Sequence, residues 1–253
     1  MKTAIVTGAG GGIGSAIAIQ LARDGMFVIL VGRSDASLSN VATHLNTFSG
    51  VAVNYEKGLV DITDPVAVEN FWWSPAHRYV DILVNCAAAP AVITPITETS
   101  YEDWMQTIQT DLTGTFLMCK GAARAMKLAC KGRIINLASY HVLGSYPNRS
   151  AYAAAKGGVL ALTRQLAVEL GLYGITVNAV SPGAIRTART SAFLATHPNL
   201  GQRLVERTPT GRLGTVEDVA NVVAWLASDK ASHITGQNIV IDGGFSVNFN
   251  PVS

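Results

Sequence analysis

Five of the seven residues from Gly8 to Gly14 are glycine, and they stand between a short apolar run, Ala4-Ile5-Val6, and a segment of helical period over residues 12–24. Glycine permits a tight turn, lets backbone approach a bound group closely, and leaves the first N–H groups of the helix facing an anion. The same glycines hold the N-terminal run to strand length, although Met1-Lys2-Thr3-Ala4 begins like a signal peptide. A Walker-type loop is excluded, because no Lys-Ser/Thr follows. Gly8, Gly12 and Gly14 leave three residues in the first gap, and position 13 is Ile, so the spacing departs from the common dinucleotide fingerprint. A flexible loop is the bland alternative; the strand-turn-helix context favours a dinucleotide turn, with Gly8, Gly10, Gly12, Ile13 and Gly14 against the cofactor.

Strand-length apolar runs then alternate with longer segments of helical period, the signature of βαβ units. Strands are expected at 3–6, 27–31, 51–55, 82–85, 133–137, 176–180 and 238–241, most of them buried on both faces. Helices are expected at 12–24, 36–46, 66–72, 101–127, 151–172 and 216–227. No linker or repeat divides the chain. The fold class is therefore α/β: a Rossmann-like, doubly wound parallel sheet of about seven strands with helices on both faces, forming one unit over residues 1–253. Residues 186–213, rich in Thr, Arg, His, Pro and Gly and weakly periodic, are expected to form a mobile lid.

Composition narrows the partners. A formal charge of +2 without Lys/Arg runs excludes the dense basic face of a nucleic-acid binder. Mean hydropathy is +0.28, yet every apolar stretch is interrupted well short of the ~20 residues a spanning helix needs. With 49% hydrophobic and only 14% charged residues, some apolar surface is expected to disappear into subunit contacts. Cys86, Cys119 and Cys130 have neither paired nor metal-ligand spacing, so no metal site is expected, and their odd number fits a reducing compartment, the cytoplasm.

At the end of the second strand, where an adenosine ribose belongs, stands Gly32-Arg33-Ser34-Asp35 rather than an acidic residue. Arg33, beside Ser34, can fork onto a 2′-phosphate, which favours NADP over NAD; a solvated surface Arg is the alternative. Asp35 reads as the N-cap of the next helix.

Tyr152 and Lys156 are four apart at the start of a helical segment and so share one face. An ammonium near a phenol stabilises the phenolate. Ser139 follows a strand at the carboxyl end of the sheet, where a ligand oxygen can be held against Tyr152. An isolated Tyr-x3-Lys is common by chance; its coincidence with a dinucleotide turn and a strand-end Ser carries the argument. His141 suggests a Ser-His nucleophile, but no acidic partner or strained elbow accompanies it, and it reads as a pocket wall. Trp72-Trp73 reads as packing or an interface feature.

These motifs together resemble the short-chain dehydrogenase/reductase family over nearly the full length. Thr7-Gly8-x3-Gly12-x-Gly14 is similar to its cofactor turn, Asn85-Cys86-Ala87-Ala88 to its Asn-Asn-Ala-Gly segment, Tyr152-x3-Lys156 to its active-site motif, and Ser139 lies thirteen residues before Tyr152 as in that family. Asp61-Ile62 resembles the pair that packs on adenine, Ser181-Pro182-Gly183 with Thr187 the nicotinamide loop, and Ile234 to Gly244 the closing strand. The resemblance implies hydride transfer at nicotinamide C4, with Tyr152 as general acid/base, Ser139 orienting the carbonyl and Lys156 binding ribose. It also implies cofactor contacts from Asp61, Ile62, Asn85, Ala87, Pro182, Gly183, Ile185 and Thr187, besides Tyr152 and Lys156, and commonly a homotetramer. Asn85-Cys86-Ala87-Ala88 lacks the family's second Asn and final Gly. Asp111, in Gln109-Thr110-Asp111-Leu112, stands where the family carries an Asn that completes a proton relay. The leading reading is an NAD(P)-dependent carbonyl reductase or alcohol dehydrogenase acting on a small molecule, with NADP favoured. A dinucleotide-binding redox sensor without turnover is the alternative, and an epimerase or dehydratase would bring a separate substrate domain.

Overall fold

The computed structural model describes residues 1–47, 54–144 and 146–249. Among them, seven strands form one parallel sheet: β1 (Thr3–Thr7), β2 (Phe27–Gly32), β3 (Tyr55–Leu59), β4 (Ile82–Asn85), β5 (Gly132–Leu137), β6 (Ile175–Pro182) and β9 (Asn238–Ile241). Their order across the sheet is β3-β2-β1-β4-β5-β6-β9. Two short strands, β7 (Ile185–Arg186) and β8 (Gly214–Thr215), pair separately. The chain order reverses between β1 and β4, so the crevice at the carboxyl ends of these strands is the natural ligand position.

Alternation along each strand divides the core. Ala4, Val6, Val28 and Leu30 face α1 (Gly12–Arg23), α2 (Asp35–Thr47) and α9 (Val216–Ala227), where they meet Ile17, Leu21, Leu38 and Val223. Ile5, Ile29, Leu83 and Ile134 face the other way, toward Phe71 of α3 (Pro65–Trp73), Met118 and Met126 of α5 (Gly114–Ala129), and Leu170 of α6 (Ser150–Leu170). Each fully buried Leu, Ile or Met contributes about 1.5–3 kcal/mol of burial energy. Helices thus cover both faces. The interior strands β1, β2, β4, β5 and β6 are buried on both faces, whereas the edge strands β3 and β9 are half open.

Four details differ from the sequence reading. The third strand is predicted at 51–55; residues 51–53 lie outside the described ones, and the strand is Tyr55–Leu59. As an edge strand it carries the adjacent charges Glu56 and Lys57, and an apolar-run criterion passes over it. The single helix predicted over 101–127 is three pieces, α4 (Tyr101–Thr107), a π-helical turn (Ile108–Thr113) and α5. Within 186–213, expected to be weakly periodic, lie two short helices, α7 (Ala188–Ala195) and α8 (Pro198–Arg207); neither has a fully buried residue, and α8 does separate polar from apolar groups at helical period. Asp35 does not cap α2: the helix starts at Asp35, Ser34 Oγ accepts from Ser37 N at 3.3 Å, and the Asp35 carboxylate pairs with Lys57 at 2.7 Å.

Trp72 packs its ring against Gly121, while Trp73 stays exposed.

Candidate active site

The glycine turn joins β1 to α1 at the crevice. Gly8 has φ +66°, and a Cβ there would stand 2.7 Å from the Ala87 Cα, so the turn lies directly on the end of β4. A Cβ on Gly14 would strike the Gly8 carbonyl, which makes glycine obligatory where the helix leaves the turn. Gly11 precedes α1 without a side-chain cap and has open space around its Cα, so the first N–H groups of α1 face the crevice. Gly12 lies against Thr187, whose methyl would be 3.2 Å from a Cβ there. Thr187 in turn opens α7 with a reciprocal capping box to Thr190. Pyrophosphate therefore fits between the turn and the start of α7.

Toward the adenosine end, a Cβ on Gly10 would approach Ser37 to 2.8 Å, which brings the start of α2 against the turn. Arg33 is exposed and lies 3.8 Å from Asp61, an ion pair too long and too wet to hold it firmly. Partial burial opposes the charge on Asp61, but bonds from the Thr63 N–H and hydroxyl, with Arg33, hold its carboxyl below the usual range. Ile62 is buried against Gly114. Ser37, unremarked in the sequence, adds a hydroxyl 3.2 Å from Ser34 Oγ, so Arg33, Ser34 and Ser37 together suit a phosphate.

On the nicotinamide side, Pro182 ends β6 and Gly183 donates to the Ile241 carbonyl at 2.8 Å, while a Cβ at Gly183 would meet Asp242. Ile185 is buried beneath β8. Asn85 is buried, and its amide donates to Asn136 Oδ1 at 2.9 Å, while Asn136 donates to Thr163 Oγ1 at 2.9 Å. This buried chain, with Thr7 Oγ1 accepting from the N–H groups of Cys86 and Ala87, knits β1, β4, β5 and α6. Asn136 and Thr163 escape a sequence reading because a buried polar network leaves no periodic signal, and Thr7, quoted only as part of the glycine turn, proves to be a member of it.

Of Ser139, Tyr152 and Lys156, the last two meet directly, and Ser139 is joined to Tyr152 through His141. Ser139 follows the end of β5 by two residues and caps the 3-10 turn Tyr140–Val142, accepting from His141 N at 3.3 Å. The His141 ring packs edge-on to Tyr152 at 5.6 Å, linking Ser139 to Tyr152. Burial, then the Arg149 charge, pulls His141 down to about 4, so the ring is neutral near pH 7 and serves as a wall. One turn along α6, Lys156 is only 4% exposed; its Nζ lies 5.7 Å from the Tyr152 ring centroid and donates to the Leu137 carbonyl at 3.0 Å.

Asp111 meets this lysine directly, Oδ2 to Nζ at 3.3 Å, while its Oδ1 accepts from Ala89 N at 2.7 Å. The π turn displaces the helix enough to aim residue 111 inward, and Gly158 of α6 lets Leu112 sit where a Cβ would be 2.7 Å away. Burial alone would lower the Lys156 pKa, but Asp111 leads the groups that hold it above its ordinary value. Burial also pushes the neighbouring Cys86 thiol to about 12, against the pull of Lys156, so it is an inert neutral group. Among the described residues no cluster of His, Cys, Asp or Glu could hold a metal, and no helix is long and apolar enough to cross a membrane.

Comparison with known proteins agrees with this fold. A family model described as enoyl-(acyl carrier protein) reductase matches residues 8–246. An uncharacterized oxidoreductase of Thermotoga maritima is 38% identical over 250 residues, covering 97% of this chain and 96% of the relative. The 3-oxoacyl-[acyl-carrier-protein] reductase FabG of Escherichia coli is 37% identical over 247 residues, 96% of each chain. Among solved structures, a single-substitution variant of the actinorhodin polyketide ketoreductase with NADPH superimposes with a TM-score of 0.90 at 31% identity, covering 97% of both chains.

Proposed function

Since this chain belongs to the short-chain dehydrogenase/reductase family of oxidoreductases, we propose that it interconverts a ketone and a secondary alcohol with NADP(H). A nicotinamide dinucleotide fits the crevice, and when bound it supplies or accepts hydride at nicotinamide C4. The chain's own groups do the rest. Ser139 holds the substrate oxygen, and Tyr152 gives it a proton as the carbonyl is reduced or takes one as the alcohol is oxidised. Lys156, with Asp111 beside it, sets the field at the Tyr152 hydroxyl and would hold the nicotinamide ribose. Residues 186–213, with α7 and α8, cover the site. Exposed apolar groups such as Val168 and Leu172, 79% and 97% exposed, fit burial in a homo-oligomer.

The observation that carries this reading is the Lys156 ammonium, buried one helical turn from Tyr152 at the carboxyl edge of the sheet. Purified protein mixed with NADPH and a panel of ketones is expected to consume reduced cofactor, followed by its absorbance, faster than with NADH. No consumption with any ketone would sink the proposal.

The cofactor choice has its own test. A guanidinium on a 2′-phosphate makes charge-assisted bonds of about 1.5–3 kcal/mol, roughly a tenfold effect or more. Arg33→Ala is therefore expected to raise the KM for NADPH at least about tenfold while that for NADH barely moves. Equal changes for both cofactors would show that Arg33 does not read the phosphate.

A further inference from the structure

We propose that the substrate of this site is a ketone whose body is a ring and whose far end is a carboxylate, gripped by Arg207 of α8. The inference rests on the reductase reading above and asks which ketone fits the wall beside Tyr152. Rings from separate segments converge there. From Tyr152 the path runs to His141 at 5.6 Å, then to Tyr140 at 4.7 Å and Tyr146 at 5.2 Å. Tyr140 meets Phe245, in the turn after β9, edge-on at 5.6 Å, and the Arg207 guanidinium lies 4.8 Å from the centre of the Phe245 ring. Tyr140, Tyr146, Tyr152 and Phe245 are each half-buried, so they keep open faces, unlike a sealed core.

The polarity of this wall changes along its length. His141 is neutral, and burial pushes the Tyr140 phenol up, away from ionisation. The part next to Tyr152 is therefore uncharged and aromatic, and a flat ring can add one more edge or offset contact to it. A rigid ring also loses less conformational freedom on binding than an open chain of equal span.

At the outer end the charge is positive. No acidic side chain pairs with Arg207 or Arg149 among the described residues; Glu206 instead accepts from Gln202, and Asp242 accepts from the N–H groups of Gly244 and Ser246. Asn248 donates to the Arg207 carbonyl at 3.0 Å, which fixes the end of α8 to the C-terminal segment. A guanidinium lying over a ring still offers its N–H edge, and that planar fork matches a carboxylate.

Three substrates separate the elements of the proposal: para-acetylbenzoate, its methyl ester, and the open-chain keto acid with four methylenes between ketone and carboxylate. The acid is expected to exceed the ester in kcat/KM by about tenfold, the equivalent of one well-made charged contact, and the open-chain acid by about tenfold through the ring contact and the smaller loss of conformational freedom. Arg207→Gln should bring the acid-to-ester ratio toward one, and Phe245→Leu should do the same to the ring-to-chain ratio. Each ratio is internal to one protein, so partial misfolding of a variant does not alter it. Wild-type ratios near one, or ratios unchanged in the variants, would overturn the inference while ketone turnover leaves the reductase reading standing. Failure to reduce these or any other ketone would overturn both.

Discussion

Tyr152→Phe is expected to lower ketone reduction by about 10²–10⁴-fold, the usual worth of a positioned acid/base. That loss corresponds to about 2.7–5.5 kcal/mol of transition-state stabilisation. The substitution deletes one oxygen and keeps the ring, so the edge contact with His141 at 5.6 Å and the packing over Lys156 survive. Ser139 remains in its strand-end cap, and the glycine turn is untouched. The fall should therefore lie in kcat, with NADPH binding, followed by the change in cofactor fluorescence, close to wild type. A Phe variant with near-normal turnover would remove Tyr152 from the chemistry and leave the proton donor to be sought elsewhere. A variant that also lost NADPH would instead mark the hydroxyl as part of the cofactor site.

Much of this arrangement is legible in the sequence because its signals are local. A strand, a glycine cluster and a helix within the first 24 residues specify the dinucleotide turn, and a Tyr-x3-Lys spacing on one helix specifies which two side chains meet. The doubly wound sheet follows from alternation alone, since strands buried on both faces read as continuous apolar runs. What escapes depends on contacts between distant segments. The Asn85-Asn136-Thr163 chain joins three elements and has no periodicity to betray it. The π turn at Ile108–Thr113 interrupts a stretch whose apolar spacing still reads as one helix. α7 and α8 escape because they are short, and Thr196-His197-Pro198 between them breaks the stretch before one helical period can be followed. The aromatic wall likewise draws on residues near 140, 152 and 245, which only the fold brings together.

Asp111 is where the sequence marks a departure and the structure supplies its consequence. In the structure the carboxylate reaches Lys156 at 3.3 Å, both side chains being almost wholly buried. Removing one partner of such a pair leaves an uncompensated charge, so Asp111→Leu is expected to destabilise the fold by about 3–5 kcal/mol. The Ala89 N–H would also lose its acceptor. Urea denaturation should register this as a lower midpoint, and a midpoint within experimental error of wild type would deny the pair its importance. Asp111→Asn keeps an acceptor for Ala89 but removes the negative charge, and its effect is on pH. Burial pulls the lysine down while Asp111 foremost holds it up, so its folded pKa is raised. A raised lysine stabilises the fold fully below its unfolded pKa and loses that contribution only as pH climbs through the folded value, above 10.5. In the Asn variant that alkaline loss should begin at lower pH. Near neutrality the lysine stays charged but is no longer offset by a carboxylate, which favours the phenolate form that alcohol oxidation requires. The acid limb of the oxidation profile, measured at saturating cofactor, should therefore move to lower pH in Asp111→Asn, and so should the alkaline limb. An acid limb that stays in place or moves upward would mean that the field of Asp111 does not reach the proton on Tyr152.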